Sequence, residues 1–345
     1  MATRRSVFLS AAITAAVVIT GGCARSDVRT GPRTHVQTQA RTEKADGYRA
    51  FLALADADEV VRVDVADGDG GRPEARATRL GADNAGEAVA VTRGGGMLYA
   101  AETGEYDVLA VDTVTGKRTR IEVGPFPQDV AVAPSGRLAY VTVTGSDVVA
   151  VIDTAADTVR TDITVGPGPR QVVFGPDGTR AYVSTEHGID VIDVATSSVI
   201  REIPDPLGPQ GIAVGAGGRT LYVANPDAGT LWKLDPATGT LLASTAAGSE
   251  PYAVTMAGSS VYAADMDSDT VSVISAVSGR VTGTIGVGRL PMCIAATPDG
   301  AQIWVGNELS GTVSVISAAS RQVVATIRAG GGDTGPLGIA FAASG

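Results

Sequence analysis

Residues Leu138–Val159 read LAYVTVTGSDVVAVIDTAADTV. Apolar and polar residues alternate, Gly145-Ser146-Asp147 interrupts, and an apolar run follows that closes on Asp153. Alternation with period two marks a strand with one buried face, and a short Gly/Ser/Asp break between two such runs marks a hairpin. Much of the pattern returns as LYVANPDAGTLWKLDPATGTL at Leu221–Leu241 and as VYAADMDSDTVSVISAVSGRV at Val261–Val281.

The repeat has a measurable period. Pro127, Pro169, Pro209, Pro251, Pro291 and Pro336 are spaced by 42, 40, 42, 40 and 45 residues. A period near 40 with strand-like alternation is the signature of a β-propeller. One unit, Phe126–Gly166, divides into four strands: DVAVAP, LAYVTV, VVAVIDT and TVRTDITVG. Its first hairpin turns at Pro134-Ser135-Gly136, and the same turn recurs at Pro176-Asp177-Gly178 and Pro298-Asp299-Gly300. Proline presets one turn angle and glycine supplies the positive φ that follows.

A second ruler is independent of the prolines. An aromatic residue near the start of the second strand lies 13 residues before the end of the third: Phe51–Asp64, Tyr99–Asp112, Tyr140–Asp153, Tyr222–Asp235, Tyr262–Ser275 and Trp304–Ser317. Tyr182–Asp193 spans 11, a deletion in the intervening loop. Asp residues recurring at one position before a turn are expected to accept turn N–H bonds rather than to catalyse. The seven markers predict an all-β, seven-bladed propeller of four-stranded antiparallel blades over residues 48–345. Its first unit lacks a first strand, and residues 335–344 supply one, so the C-terminal strand is expected to complete the first blade. Closure removes the open sheet edges and blade faces that a broken ring would leave.

The runs LYVAN, AYVTV, AYVST and TVSVISA closely resemble the YVTN-repeat β-propellers, the YncE-like proteins among them. The likeness covers Tyr48 to Ser344. It implies a bacterial or archaeal surface or periplasmic propeller. It does not imply one activity, because propellers host lactonases, lyases, redox domains and plain binding scaffolds. The family's Asn at the end of the second strand survives at Asn225 and Asn307; Leu54, Glu102, Val143, Thr185 and Asp265 stand at the other matching positions.

The N-terminus reads as an export signal. A charged start precedes an apolar stretch from Val7 to Thr20, shorter than the ~20 residues of a membrane-spanning helix. Residues 1–22 are therefore expected to be a signal peptide. Thr20-Gly21-Gly22 before Cys23 resembles a lipobox, although Thr20 stands where Leu is usual. Cys23 is expected to be acylated and to anchor the protein outside the cytoplasm; an ordinary secretory signal with an incidental Cys is the competing reading. Thr3-Arg4-Arg5-Ser6-Val7-Phe8 also looks like a twin-arginine motif, which leaves both export routes open. Residues 23–47 are polar, with Gly and Pro but no apolar period, and read as a flexible tether.

Formal net charge is −10, and it is uneven. Residues 1–47 carry seven Arg and Lys against three acids, a balance of +4, which leaves −14 for the remainder. An acidic body repels phosphate backbones, so no nucleic-acid partner is expected. A monomer with an unidentified protein or small-molecule partner is expected instead. Cys293 is predicted to be a buried, inert thiol within a strand.

Catalytic signatures are sparse. The chain has two His, so no HExxH or multi-His metal cluster exists. His187, beside Glu186 in the shortened loop, is the one general-base candidate. DMDSDT at Asp265–Thr270 begins like an EF-hand loop but has Thr270 where Gly is needed and Ala276 where the bidentate Glu belongs. Position says more. In propellers the loops joining second to third strands share a face with the loops joining blades, around the channel mouth. Glu102, Asn225, Asp265 and Asn307 end second strands, while Glu87, Gln128, Arg170 and Gln210 open innermost strands. These eight form the predicted ligand-binding mouth. Arg170 would recognise an anionic group or neutralise Glu102 or Glu87. No cofactor is expected, Ca²⁺ held by Glu102 and Asp265 being the alternative. The favoured function is a lipid-anchored, non-catalytic binding or scaffolding module of the cell envelope. The alternative is a lactonase- or lyase-type enzyme acting at the mouth.

Overall fold

The computed structural model describes residues 48–54, 59–66, 74–80, 88–329 and 335–343. The predicted signal peptide, Cys23 and the tether lie outside this set, as does Glu87. Seven four-stranded antiparallel sheets account for the strands. The first blade uses β1 (Tyr48–Leu54), β2 (Glu59–Ala66) and β3 (Glu74–Arg79). The second uses β4 (Ala88–Val91), β5 (Met97–Glu102), β6 (Asp107–Asp112) and β7 (Arg118–Glu122). The third has β8 (Pro127–Val132), β9 (Leu138–Val143), β10 (Val148–Asp153) and β11 (Thr158–Thr164). The fourth has β12 (Val172–Phe174), β13 (Arg180–Thr185), β14 (Gly188–Asp193) and β15 (Ser198–Pro204). The fifth has β16 (Ile212–Val214), β17 (Leu221–Asn225), β18 (Thr230–Asp235) and β19 (Thr240–Ala246). The sixth has β20 (Pro251–Ala257), β21 (Ser260–Asp265), β22 (Thr270–Ser275) and β23 (Val281–Gly286). The seventh has β24 (Pro291–Ala296), β25 (Gln302–Asn307), β26 (Thr312–Ser317) and β27 (Gln322–Arg328). The last strand, β28 (Pro336–Ala343), returns to the first blade in the order β28-β1-β2-β3.

The register explains the second ruler. Tyr140 lies opposite Val151 on β10, and Asp153 lies opposite Leu138. Thirteen residues is thus the distance from an inward aromatic, around the hairpin, to the turn that leaves the third strand. At that turn Asp112 Oδ1 accepts the N–H groups of Val114 (2.9 Å) and Thr115 (2.8 Å), and Asp153 Oδ1 those of Ala155 (2.9 Å) and Ala156 (3.2 Å). Ser275 and Ser317 Oγ do the same for Ser278 and Ser320, each at 3.2 Å. These backbone bonds hold the carboxyls of Asp112, Asp193 and Asp235 below the usual range. Asp64 differs: its carboxylate pairs with Arg62 at 3.1 Å.

Seven separate apolar cores hold the ring, one at each blade-to-blade junction. The second and third blades, for example, share Tyr99, Val108, Ile121, Val130, Val141 and Ile152. Each blade therefore buries two faces, against two different neighbours, which is why one repeat cannot stand alone. The ruler aromatics span these junctions. Tyr99 packs in the core while its hydroxyl donates to Asp157 Oδ1 (3.1 Å) in the next blade's outer turn. Tyr222 does the same to the Ala276 carbonyl at 3.3 Å. Innermost strands β4, β8, β12, β16, β20, β24 and β28 adjoin in sequence and close on each other, lining the central channel.

Candidate functional site at the channel mouth

The innermost strands are stitched together by side chains and, at one junction, by backbone alone. Val172 N–H donates to Asp129 Oδ2 (2.9 Å), and Ile212 N–H donates to Gln171 Oε1. Gly211 N–H donates to the Tyr252 carbonyl (3.0 Å), and the Cys293 thiol donates to the Pro336 carbonyl (3.3 Å). Asp129, Gln171, Gly211 and Cys293 occupy one repeat position, two residues past the repeat proline. Burial pushes the Cys293 thiol up to about 12, consistent with a packed thiol rather than a nucleophile. Burial also pushes the Asp129 carboxyl up to about 7, only partly offset by its backbone N–H bonds.

One residue earlier stand Gln128, Arg170 and Gln210, all half-buried, followed around the ring by Tyr252, Met292 and Leu337. Gln128 Oε1 accepts from Thr144 Oγ1 at 3.2 Å. The Arg170 guanidinium donates to the carbonyls of Gly208 (3.2 Å) and Pro209 (3.1 Å) in the next blade's entry loop. The structure thus brings Gln128, Arg170 and Gln210 to one level of three consecutive strands. Phe126 and Tyr106, exposed by 59% and 60%, lie on the loops of the same face. Phe126 holds φ of 56°, as do Glu250 (52°) and Leu290 (53°) immediately before their repeat prolines. Left-handed backbone at three non-glycine residues shows how firmly these entry loops are set.

Glu102, Asn225, Asp265 and Asn307 do share one repeat position, but each is 0% exposed. The entry loop of each blade covers the end of its second strand. A Cβ on Gly248 would come within 2.5 Å of the Asp265 carboxylate, a proximity only glycine permits. Asp265 accepts from Ser272 Oγ (2.8 Å), Thr270 Oγ1 (3.0 Å) and Gly248 N–H (3.1 Å), so its carboxylate pins the loop to the blade. Asn307 Nδ2 donates to Thr312 Oγ1 (3.1 Å) and Ser314 Oγ (3.0 Å). Of the partners open to Arg170, Glu102 is taken by another cation: Glu102 Oε2 meets Arg120 at 2.5 Å, and the same guanidinium meets Asp107 at 3.0 Å. Glu186 and His187 are exposed on their loop. No group of three or more His, Cys, Asp or Glu is placed to hold a metal ion among the described residues.

One cation serving two carboxylates leaves Glu102 hard to ionise. Burial, then the neighbouring Asp107, push its carboxyl up to about 8, against the pull of Arg120. A carboxyl with a raised folded pKa makes the native state bind the extra proton between its unfolded value near 4.5 and that level. Stability therefore falls as pH rises through this window, and Asp129 acts in the same direction. The midpoint of unfolding should be lower at pH 9 than at pH 6, by on the order of 2 kcal/mol in stability. Glu102→Gln should flatten that dependence and melt higher than the parent at pH 9. Parallel pH profiles for the two proteins would contradict the assignment.

The closed ring of seven four-stranded blades defines the chain as a seven-bladed β-propeller whose mouth is framed by inter-blade loops. Comparison with known families agrees: residues 51–254, more than half of the chain, match the model of the YNCE-like β-propeller, and the chain belongs to that family. No curated protein matches it. Among solved structures it is similar to a chain of Kuenenia stuttgartiensis hydrazine synthase, with a TM-score of 0.50 and 20% identity over 68% of this chain and 96% of that one. At that identity the likeness concerns the fold alone.

Arg120, Asp129 and Asp205 were not singled out by sequence. Arg120 lies on an outer strand and reaches inward only through its long side chain. Asp129 and Asp205 carried a readable signal. Once blades are superposed on their backbone bonds, each is a carboxylate at a position where other repeats have uncharged residues.

Proposed function

We propose that this protein is a lipid-anchored, extracytoplasmic propeller that binds or scaffolds a partner at its channel mouth without chemistry of its own. The observation that carries the reading is the rim of Gln128, Arg170 and Gln210. Three consecutive blades present polar side chains at one level, two of them tied by hydrogen bonds to neighbouring segments, beside the exposed rings of Phe126 and Tyr106. Pre-set polar groups beside exposed aromatics are the composition of a binding surface. The buried strand-end acids support the same reading, since Asp265 gives both carboxylate oxygens to protein donors and Glu102 gives Oε2 to Arg120, its Oε1 being buried against the protein. The export signal and Cys23 would place this surface at the cell envelope, and the acidic body disfavours nucleic acid.

Two measurements test it. In cells, the parent should partition with the membrane and into the detergent phase, and Cys23→Ala should be released or accumulate as an unprocessed precursor. Unchanged membrane association and unchanged mature mass would refute the anchor. For the mouth, Gln128→Ala with Arg170→Ala and Gln210→Ala should weaken capture of the envelope partner by tenfold or more, while the lost hydrogen bonds lower the melting midpoint by a few degrees and leave the protein folded at the assay temperature. Turnover of a lactone panel by the purified protein, lost in His187→Ala, would refute the non-catalytic part.

A further inference from the structure

The junction between the fourth and fifth blades is chemically unlike the others. In five other blades, the second, third, fifth, sixth and seventh, the residue that follows the fourth strand donates its N–H to the loop between second and third strands: Val123 to Tyr106, Val165 to Asp147, Ala247 to Gly229, Val287 to Asp269 and Ala329 to Gly311. Asp205 makes the same bond, to His187 at 2.9 Å, so it occupies the same place. Where the other repeats put Val or Ala, the fourth blade buries a carboxylate that is 0% exposed.

Three substitutions meet there. Pro206 follows Asp205, whereas Gly166 and Gly248 follow Val165 and Ala247 and donate their N–H groups to Asp190 (2.7 Å) and Asp265 (3.1 Å). Proline has no N–H to give. Trp232 stands where Ser272 and Ser314 donate to, or accept from, the strand-end residue of their own blades. Asn225 consequently has neither Oδ1 nor Nδ2 bonded, although it is 0% exposed; burial pushes the neighbouring Asp205 carboxyl up, against the smaller pulls of Leu207 N–H and the Asn225 amide beside it. Its register partner Thr230 has an unbonded Oγ1, and Asp205 has an unbonded Oδ2 beside an Oδ1 that accepts from Leu207 N–H at 3.0 Å. Buried polar atoms without partners are rare, and each calls for a reason.

We propose that Asp205 Oδ2, Asn225 Oδ1 and Thr230 Oγ1 bind an alkali-metal cation between the fourth and fifth blades. Carboxylate, carboxamide and hydroxyl oxygens are hard donors suited to such an ion. The charge count selects a monovalent one: a single buried carboxylate balances one positive charge, and a divalent ion would leave one uncompensated in a dry junction. The ion would restore to this junction the tie that Gly248 N–H and Ser272 supply one blade further on.

The test compares melting of the full chain in NaCl, KCl, CaCl₂ and choline chloride at matched ionic strength. A ligand that binds only the folded state raises its midpoint with concentration, and a rise of about 2–4 °C in NaCl or KCl over choline chloride is expected. Asp205→Val, which installs the residue of the second and third blades, should fold and lose the difference. Thr230→Val, a smaller change, should reduce it, and it keeps the proposal testable should the first variant fail to fold. Equal melting in all four salts would overturn the site in favour of ordered water alone. A rise in CaCl₂ only would overturn the monovalent assignment, and a difference that persists in both variants would place the ion elsewhere.

Discussion

Deleting residues 335–345 should leave the protein insoluble or unfolded. β28 pairs with β1 over the whole of Tyr48–Leu54, and it adjoins both β4 and β24. Its loss bares one sheet edge and opens two of the seven cores. Ile339 and Phe341 pack into the junction of the seventh and first blades, and Ala340 with the buried Ala342 into that of the first and second. Leu337 is half-buried at the rim and adds little. A fully buried side chain is worth roughly 1.5–3 kcal/mol and each lost ladder bond about 1 kcal/mol. Their sum rivals a whole domain's stability of about 5–15 kcal/mol. Soluble yield and circular dichroism decide the matter. A truncated chain that melts like the full one would show that the ring does not depend on this strand.

Trp304→Ala should cost about 3–5 kcal/mol. Trp304 is 2% exposed and sits edge-on to two rings from the paired strands β1 and β28, Tyr48 at 6.1 Å and Phe341 at 5.4 Å between centroids. Such pairs add about 0.5–1.5 kcal/mol beyond area burial. Its indole N–H and the Tyr48 hydroxyl converge on Gln302 Oε1 at 3.1 and 2.7 Å. Alanine would leave a cavity at the seam and remove one of those two donors. The midpoint should fall by about 6–12 °C, and Trp304→Phe should recover more than half of it. A shift below ~2 °C in the alanine variant would mean that the seam tolerates the void.

The repeat made the architecture legible because the physics is local. Hairpins, turn-capping Asp residues and the aromatic-to-Asp interval each act within one blade, so they leave marks at fixed spacing. The site was legible only by position. Repeat alignment put Glu102, Asn225, Asp265 and Asn307 at one strand-end position, and Gln128, Arg170 and Gln210 at another, and the strands of the structure share those positions. Exposure did not follow from it, because what covers Asp265 is the backbone of Gly248, a residue with no side chain to announce the contact. Arg120 escaped for a related reason: its partner Glu102 is 18 residues away across two strands, and nothing in the spacing of charges marks that pairing. Asp205 lies in the stretch Ile203-Pro204-Asp205-Pro206, which looks like an ordinary turn until its blade is laid over the others.

The first blade also sets the order of events during folding. Every other blade is made of four strands contiguous in sequence, so it can pair as it emerges. β1 must wait for β28, nearly the whole chain later. At elongation rates of about 5–20 residues per second, that partner appears tens of seconds after β1. Closing a loop of such length carries an entropic cost that no local hairpin meets. The last step is therefore a single long-range capture, made after six blades have already paired internally. Until it happens, the chain is an arc with an unpaired strand at one end and an uncovered blade face at the other.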